Sequence, residues 1–126
     1  MSPRKKLRFE YYETHNECEF INFLHTLPIL DQAKILATIQ NIEEQGILVA
    51  SRMQWVKKIE KDFYEIRVKR GSNIQRVIYF HIFGNRYLIT HGFTKKSTKT
   101  PIKEIVRAKA IREKYEKCLR EKENKS

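Results

Sequence analysis

Covalent and metal frameworks are nearly absent from this sequence. Only two cysteines occur, Cys18 and Cys118, a hundred residues apart and outside any Cys-x-x-Cys or Cys/His spacing. A zinc centre or disulfide scaffold is therefore not expected, nor is any other metal site or cofactor. No apolar run approaches the ~18–20 residues that a membrane-spanning helix needs. The basic start, Met1-Ser-Pro-Arg-Lys-Lys-Leu-Arg8, is not followed by the apolar stretch of a secretory signal. Two free thiols in the cytoplasm are the expectation. Internal repeats and low-complexity linkers are also missing, so 126 residues read as one domain with a modest core. That domain is expected to span 1–119, with 120–126 as a charged tail that frays.

Charge is what the chain has in excess. It carries 26 Lys and Arg against 15 Asp and Glu, a net +11. The excess is uneven: residues 1–50 have 5 basic and 7 acidic side chains, whereas residues 51–76 have 8 and 3, and residues 95–126 have 12 and 5. A basic remainder joined to an acidic-leaning first part suits a polyanion, and nucleic acid is the commonest such partner. A solvated basic helix gives the same count, so charge alone decides nothing.

Phe9–Thr14 reads as a first strand, followed by a short helix through Phe20 and Leu24, capped by Thr14 or Asn16 and ended by Pro28. A second helix is predicted from an Asp31 N-cap through Ile35, Leu36, Ile39 and Ile42 to Gly46. The period then changes. Phe63–Arg70 alternates, Ile74–Phe83 is apolar on both sides, and Arg86–Phe93 follows Gly84-Asn85, a two-residue turn. Thr100-Pro101 opens a helix through Ile105, Ala108, Ile111 and Tyr115. The fold class is α+β: an N-terminal strand and helix hairpin packed on an antiparallel sheet, closed by a C-terminal helix.

The turns fix a register. With Gly84-Asn85 as the whole turn, Ile78 faces His91 and Arg76 faces Phe93. With Gly71-Ser72 as the preceding turn, Arg67 lies opposite Arg76, on the His91 side. A three-residue turn through Asn73 would send Arg67 to the other side. The first register is preferred because it gathers Tyr64, Ile66, Val68, Val77, Tyr79 and Leu88 on the reverse face, beneath the hairpin. Two directly opposed arginines disfavour folding unless an anion compensates them, and a guanidinium fork suits phosphate.

Such a cluster fits metal-free RNA cleavage, in which a base deprotonates a 2′-hydroxyl, cations hold the phosphorane, and an acid protonates the 5′-oxygen. Arg67 and Arg76 are the candidate phosphate holders, His91 the first proton carrier and Lys96 the second. Lys57, Lys58, Lys69, Lys95 and Lys99 are candidate RNA contacts, with Phe93 as a stacking surface. Tyr79 falls on the reverse face, where a core role suits it better. Each residue has a plainer reading: Arg67 pairing with Glu65 or Glu60, His91 as a structural histidine, Lys57-Lys58 as solvated lysines beside an apolar anchor. His81 is expected under the hairpin.

Tyr64-Glu-Ile-Arg67, Arg76-Val-Ile-Tyr79, His91-Gly-Phe-Thr-Lys-Lys96 and Lys99-Thr-Pro101, in this order, resemble the RelE/HigB toxin superfamily and most closely its phage-related HigB-like branch. The likeness spans about residues 55–115. It implies the RelE-like fold, ribosome-dependent cleavage of messenger RNA, and neutralisation by a cognate helix-turn-helix antitoxin. Strand arginines used by the family fall on Arg67 and Arg76. A basic family position falls on Glu65 instead, and the tyrosine of some relatives, early in the C-terminal helix, has no counterpart because Tyr115 lies too far along. The identity of acid and base therefore stays open. A non-catalytic nucleic-acid-binding module, or an inactive toxin relative, is the competing expectation.

Overall fold

A computed structural model describes residues 5–94 and 99–125. Seven strands and four helices follow in the order β1 (Arg8–Tyr11), β2 (Glu13–Thr14), β3 (Glu17–Cys18), α1 (Glu19–His25), α2 (Ile29–Gln45), α3 (Ile47–Arg52), β4 (Val56–Glu60), β5 (Phe63–Arg70), β6 (Asn73–Phe83), β7 (Arg86–Thr94) and α4 (Ile102–Lys125). Five strands form one sheet in the order β1-β7-β6-β5-β4. The α+β class stands. The sheet is mixed rather than antiparallel throughout, because β1 runs parallel to β7.

Several boundaries differ from the sequence reading for local reasons. Thr14 and Asn16 belong to a small β2–β3 hairpin whose tip residues, His15 and Asn16, have positive φ. Neither caps α1, which follows Cys18 without a side-chain cap. Pro28 fixes φ just ahead of the helix, so α2 starts at Ile29. Asp31 then sits inside the first turn, buried, and accepts from Arg70 at 3.3 Å. Gly46, with φ 92° and ψ 166°, occupies backbone space open only to glycine and joins α2 to the unforeseen α3. Trp55–Ile59, whose plainer reading was an apolar anchor with solvated lysines, lies largely in the edge strand β4. α4 continues to Lys125.

The sheet is covered on both faces. Ile35, Ile39 and Ile42 of α2 and Phe20 and Leu24 of α1 pack on Ile66, Val68, Val77, Tyr79 and Ile89. The opposite face carries Phe63, Ile78, Phe80, Leu88 and Phe93 against Ala108 of α4. Each fully buried side chain of this size is worth about 1.5–3 kcal/mol of transfer free energy. The edge strand β1 is tied down by Glu43 of α2, whose carboxylate accepts the Phe9 N–H at 2.9 Å.

The preferred register is the one observed from Arg67↔Arg76 through Ile78↔His91. Below that row, the pairing shifts between Ile78 and Tyr79 and again between His81 and Phe83. An extra residue, Thr90, inserts in β7, and an extra Ile82 in β6 compensates it before the turn. The bulge inverts the lower part of β7. Leu88 therefore lies against Phe80 on the α4 face, and Ile89 takes the hairpin-side place expected of Leu88. His81 is exposed, not covered, with its ring 4.8 Å from Tyr87.

Gly92 is fixed by the packing of α1. A Cβ built there would meet the Phe23 ring at 2.4 Å. Gly92→Ala is expected to destabilise the protein by about 1–3 kcal/mol through overpacking. In chemical denaturation, combining it with Phe23→Leu should recover part of that loss; strict additivity of the two costs would show that the contact is not the cause.

Candidate functional site

The α4-side face of the sheet brings together two adjacent rows of side chains. One runs Lys57, Glu65, Ile78, His91 across β4, β5, β6 and β7. The next runs Arg67, Arg76, Phe93. Lys69 lies one row further on the same side, exposed. Lys58 pairs with Tyr64 and belongs to the opposite face. Phe93 is buried, its ring 6.2 Å from that of His91. Lys99 is exposed just ahead of α4, and Lys95 and Lys96 lie outside the described residues.

The anion that compensates the opposed arginines is Glu65. Its Oε1 lies 3.5 Å from Arg67 Nε and 3.8 Å from Arg76 Nη1. Its Oε2 accepts a 2.8 Å hydrogen bond from Thr100. Glu65 and Arg76 are 0% exposed, whereas the Arg67 side chain keeps 25% of its surface. The Arg67 Nε and Glu65 Oε1 atoms, though close, lack hydrogen-bond geometry. Arg67 thus joins a buried carboxylate to solvent and holds unmet donor capacity.

His91 is equally enclosed, at 1% exposure. Nδ1 stands 3.1 Å from the Thr90 hydroxyl, which reaches Ile78 O at 3.2 Å, and Nε2 stands 3.3 Å from Glu104 of α4. Burial pushes the imidazole below its ordinary pKa, against the opposing pull of the Glu104 carboxylate. The ring is therefore mainly neutral at pH 7, and its Nε2–H donates to Glu104. With Nδ1 then an acceptor, the single Thr90 hydroxyl proton is shared between Nδ1 and Ile78 O, since the bulge puts that hydroxyl beside the ring.

Sequence reasoning brought Arg67, Arg76 and His91 together and missed the residues that enclose them. Thr100 was read as a helix start, yet its hydroxyl serves Glu65, and α4 begins after Pro101. Glu104 carried no signal, because only the docking of α4 places it on His91. Both arginines and His91 point away from the helix hairpin, but the first turn of α4 and the Thr100 segment cover the cluster from the other side. A cleft of about 240 Å³ beside it, lined by Glu19, Phe23, His91, Gly92 and Arg107, is spanned by an ion pair between Arg107 and Glu19.

Among the described residues, no group of three or more His, Cys, Asp and Glu side chains is arranged to hold a metal ion. No helix among them is long and apolar enough to cross a membrane.

A small mixed-sheet α+β domain with an arginine pair and a histidine on one sheet face is the class that fold and site define. Residues 22–113 match the model of the family described as phage derived protein Gp49-like (DUF891). The chain belongs to this Gp49-like family, a toxin-like family related to the RelE/HigB-type mRNA interferases. Among curated proteins, none matches the chain.

Glu65→Gln leaves two cations in the sheet without their carboxylate and is expected to cost about 3–5 kcal/mol in urea unfolding. His91 should give the fold a pH dependence of defined sign. Its pKa is lowered in the folded state, so the unfolded chain binds the proton more readily as pH drops below the ordinary 6.5. Stability from this group is complete above that value and declines on acidification. The difference in Tm between wild type and His91→Gln should shrink from pH 7.5 to pH 5.5; a constant difference would refute it.

Proposed function

We propose that the chain is the toxin of a type II toxin–antitoxin pair, a ribosome-dependent endoribonuclease that cleaves messenger RNA and so blocks translation. One observation carries this reading: Arg67 and Arg76 are directly opposed in the row beside His91, on a single sheet face. Family membership supports a toxin, and the basic surface supports an RNA substrate.

In this reading, His91 Nε2 takes the proton of a 2′-hydroxyl, whose oxygen attacks the adjacent phosphorus. The bond from phosphorus to the 5′-oxygen breaks, leaving a 2′,3′-cyclic phosphate, and the 5′-oxygen takes a proton from an acid, for which Lys96 is the candidate. Arg67, the arginine that reaches solvent, holds a non-bridging oxygen. Arg76 holds Glu65 and the sheet geometry around it. Lys57, Lys69 and Lys99 bind flanking phosphates. The attacking group is internal to the substrate, so the reaction has no need of a metal-bound water. Glu104 must withdraw from His91 and the ring proton pass from Nε2 to Nδ1, where the Thr90 oxygen accepts it, before Nε2 can act as a base, so RNA binding has to displace the first turn of α4. The partners are the ribosome with its messenger, and a helix-turn-helix antitoxin.

The engagement of both His91 nitrogens favours a second reading, an RNA-binding module or inactive relative in which the cluster is only structural. Induction in cells decides between them. The toxin reading expects translation arrest and new messenger 5′ ends within ribosome-covered regions, with in vitro cleavage unchanged by EDTA. His91→Gln should lower cleavage ~10²–10⁴-fold and Arg67→Ala ~10²–10³-fold, both variants keeping a folded far-UV spectrum. Salt-dependent RNA affinity without cleavage or arrest would establish the second reading. Full activity in both variants would remove the site.

A further inference from the structure

The outer side of α4 is unaccounted for by the fold. Its inner side is set by Glu104, which meets His91, by Ala108 and Tyr115, which meet the Phe80 cluster, and by the buried Ile111. On the opposite side Ile102, Val106 and Ala110 recur at i, i+4 and i+8 and form one stripe. Ile102 is 73% exposed and Val106 59%. A helix of a monomeric protein normally turns charge, not an aliphatic row, to water. The row is bordered by Lys103, Arg107, Lys109, Lys114 and Lys117, all exposed, with Glu113 the one acidic side chain in line with it. Arg107 and Lys109 already have partners in Glu19 and Glu60. Lys103, Lys114 and Lys117 have no ion-pair partner among the described residues.

We propose that this stripe is a docking surface for an acidic amphipathic helix of a partner protein, which covers Ile102, Val106 and Ala110 with apolar side chains and places carboxylates against Lys103, Lys114 and Lys117. Charge complementarity selects this occupant. A second copy of the chain would bring the same lysines against each other across a two-fold interface. A nucleic acid would answer the lysines but gain nothing from the aliphatic row. The aliphatic row spans nine residues, or ~13 Å at 1.5 Å per residue, and with its lysines out to Lys117 the surface spans 16 residues, or ~24 Å, which suits four to five turns of a facing helix. The inference rests on α4's outer side alone and stands apart from RNA cleavage.

The test uses the full chain, isotope-labelled, titrated with a synthetic 18-residue peptide. Its leucines are spaced i, i+3, i+4, i+7, with glutamates on both flanks; a second peptide has every glutamate replaced by lysine. The acidic peptide should bind with Kd below ~1 mM and move the amide signals of residues 102–117, and the lysine peptide should not. Val106→Asp and Lys103→Glu should each weaken binding about tenfold or more, while Lys61→Glu, off this surface, leaves it unchanged. Ile102→Asp replaces Val106→Asp if the latter loses its helical circular dichroism. The proposal is overturned by absent binding at 1 mM peptide, by shifts confined to other surfaces, by equal binding of the two peptides, or by a dimer that Val106→Asp dissociates.

Discussion

A single carboxylate organises the charged face of this protein. Glu65 lies between the guanidiniums of Arg67 and Arg76, and without it the direct opposition of those arginines on neighbouring strands would work against the sheet. Two cations and one anion still leave a positive surplus in a place almost without solvent. Burial of charge is tolerable only when the geometry satisfies most of the remaining lone pairs and protons. Glu65 meets this in part: one oxygen takes the Thr100 hydroxyl, while the other stands near both arginines without a formed hydrogen bond. Arg67 is the member of the cluster that reaches water, and its Nε is one of the donors without a formed hydrogen bond.

The Thr100 bond also explains how the face comes to be covered. It draws the segment ahead of α4 onto the sheet, and one turn later Glu104 reaches His91. Further along, α4 is held to the rest of the protein by Arg107–Glu19, Lys109–Glu60 and Arg112–Asp62. These are largely exposed pairs, worth about 0–1 kcal/mol each. Its apolar hold is Ala108, Ile111 and part of Tyr115. The beginning of α4 thus rests on two polar contacts and little packing, whereas the sheet is packed on its other face by three helices.

The face that carries the site was legible because its register depends on two short turns. Gly71-Ser72 and Gly84-Asn85 allow few geometries, and the apolar alternation of β5 selects among them. Arg67, Arg76 and His91 follow from that arithmetic. Leu88 did not, because the Thr90 bulge and its compensating Ile82 are irregularities of main-chain geometry with no residue signature, and they cancel at the turn. β4 hid behind two lysines whose period resembles a solvated loop, and β1 joined the sheet in parallel through pairs 78 residues apart in sequence, Arg8 with Arg86 among them. Glu65 was visible as a departure from a basic family position and as one plain partner for Arg67. Its placement between both arginines, and the arrival of Thr100 and Glu104, belong to the docking of α4, which no local pattern encodes.

The same docking gives α4 two unlike sides within its first three turns. Glu104 faces inward to His91, while Ile102 and Val106 face outward among lysines. A helix segment this short moves as one body. Whatever binds the outer row therefore acts on the inner carboxylate as well, and whatever enters between Glu104 and His91 shifts the outer row. Linkage makes the coupling reciprocal in free energy. A ligand that prefers the lowered helix opposes one that needs it raised, by the difference in its affinity for the two positions. Arg67 reaches water at rest while Arg76 and His91 are enclosed, so in the toxin reading the position of that first turn is the variable that sets access to His91.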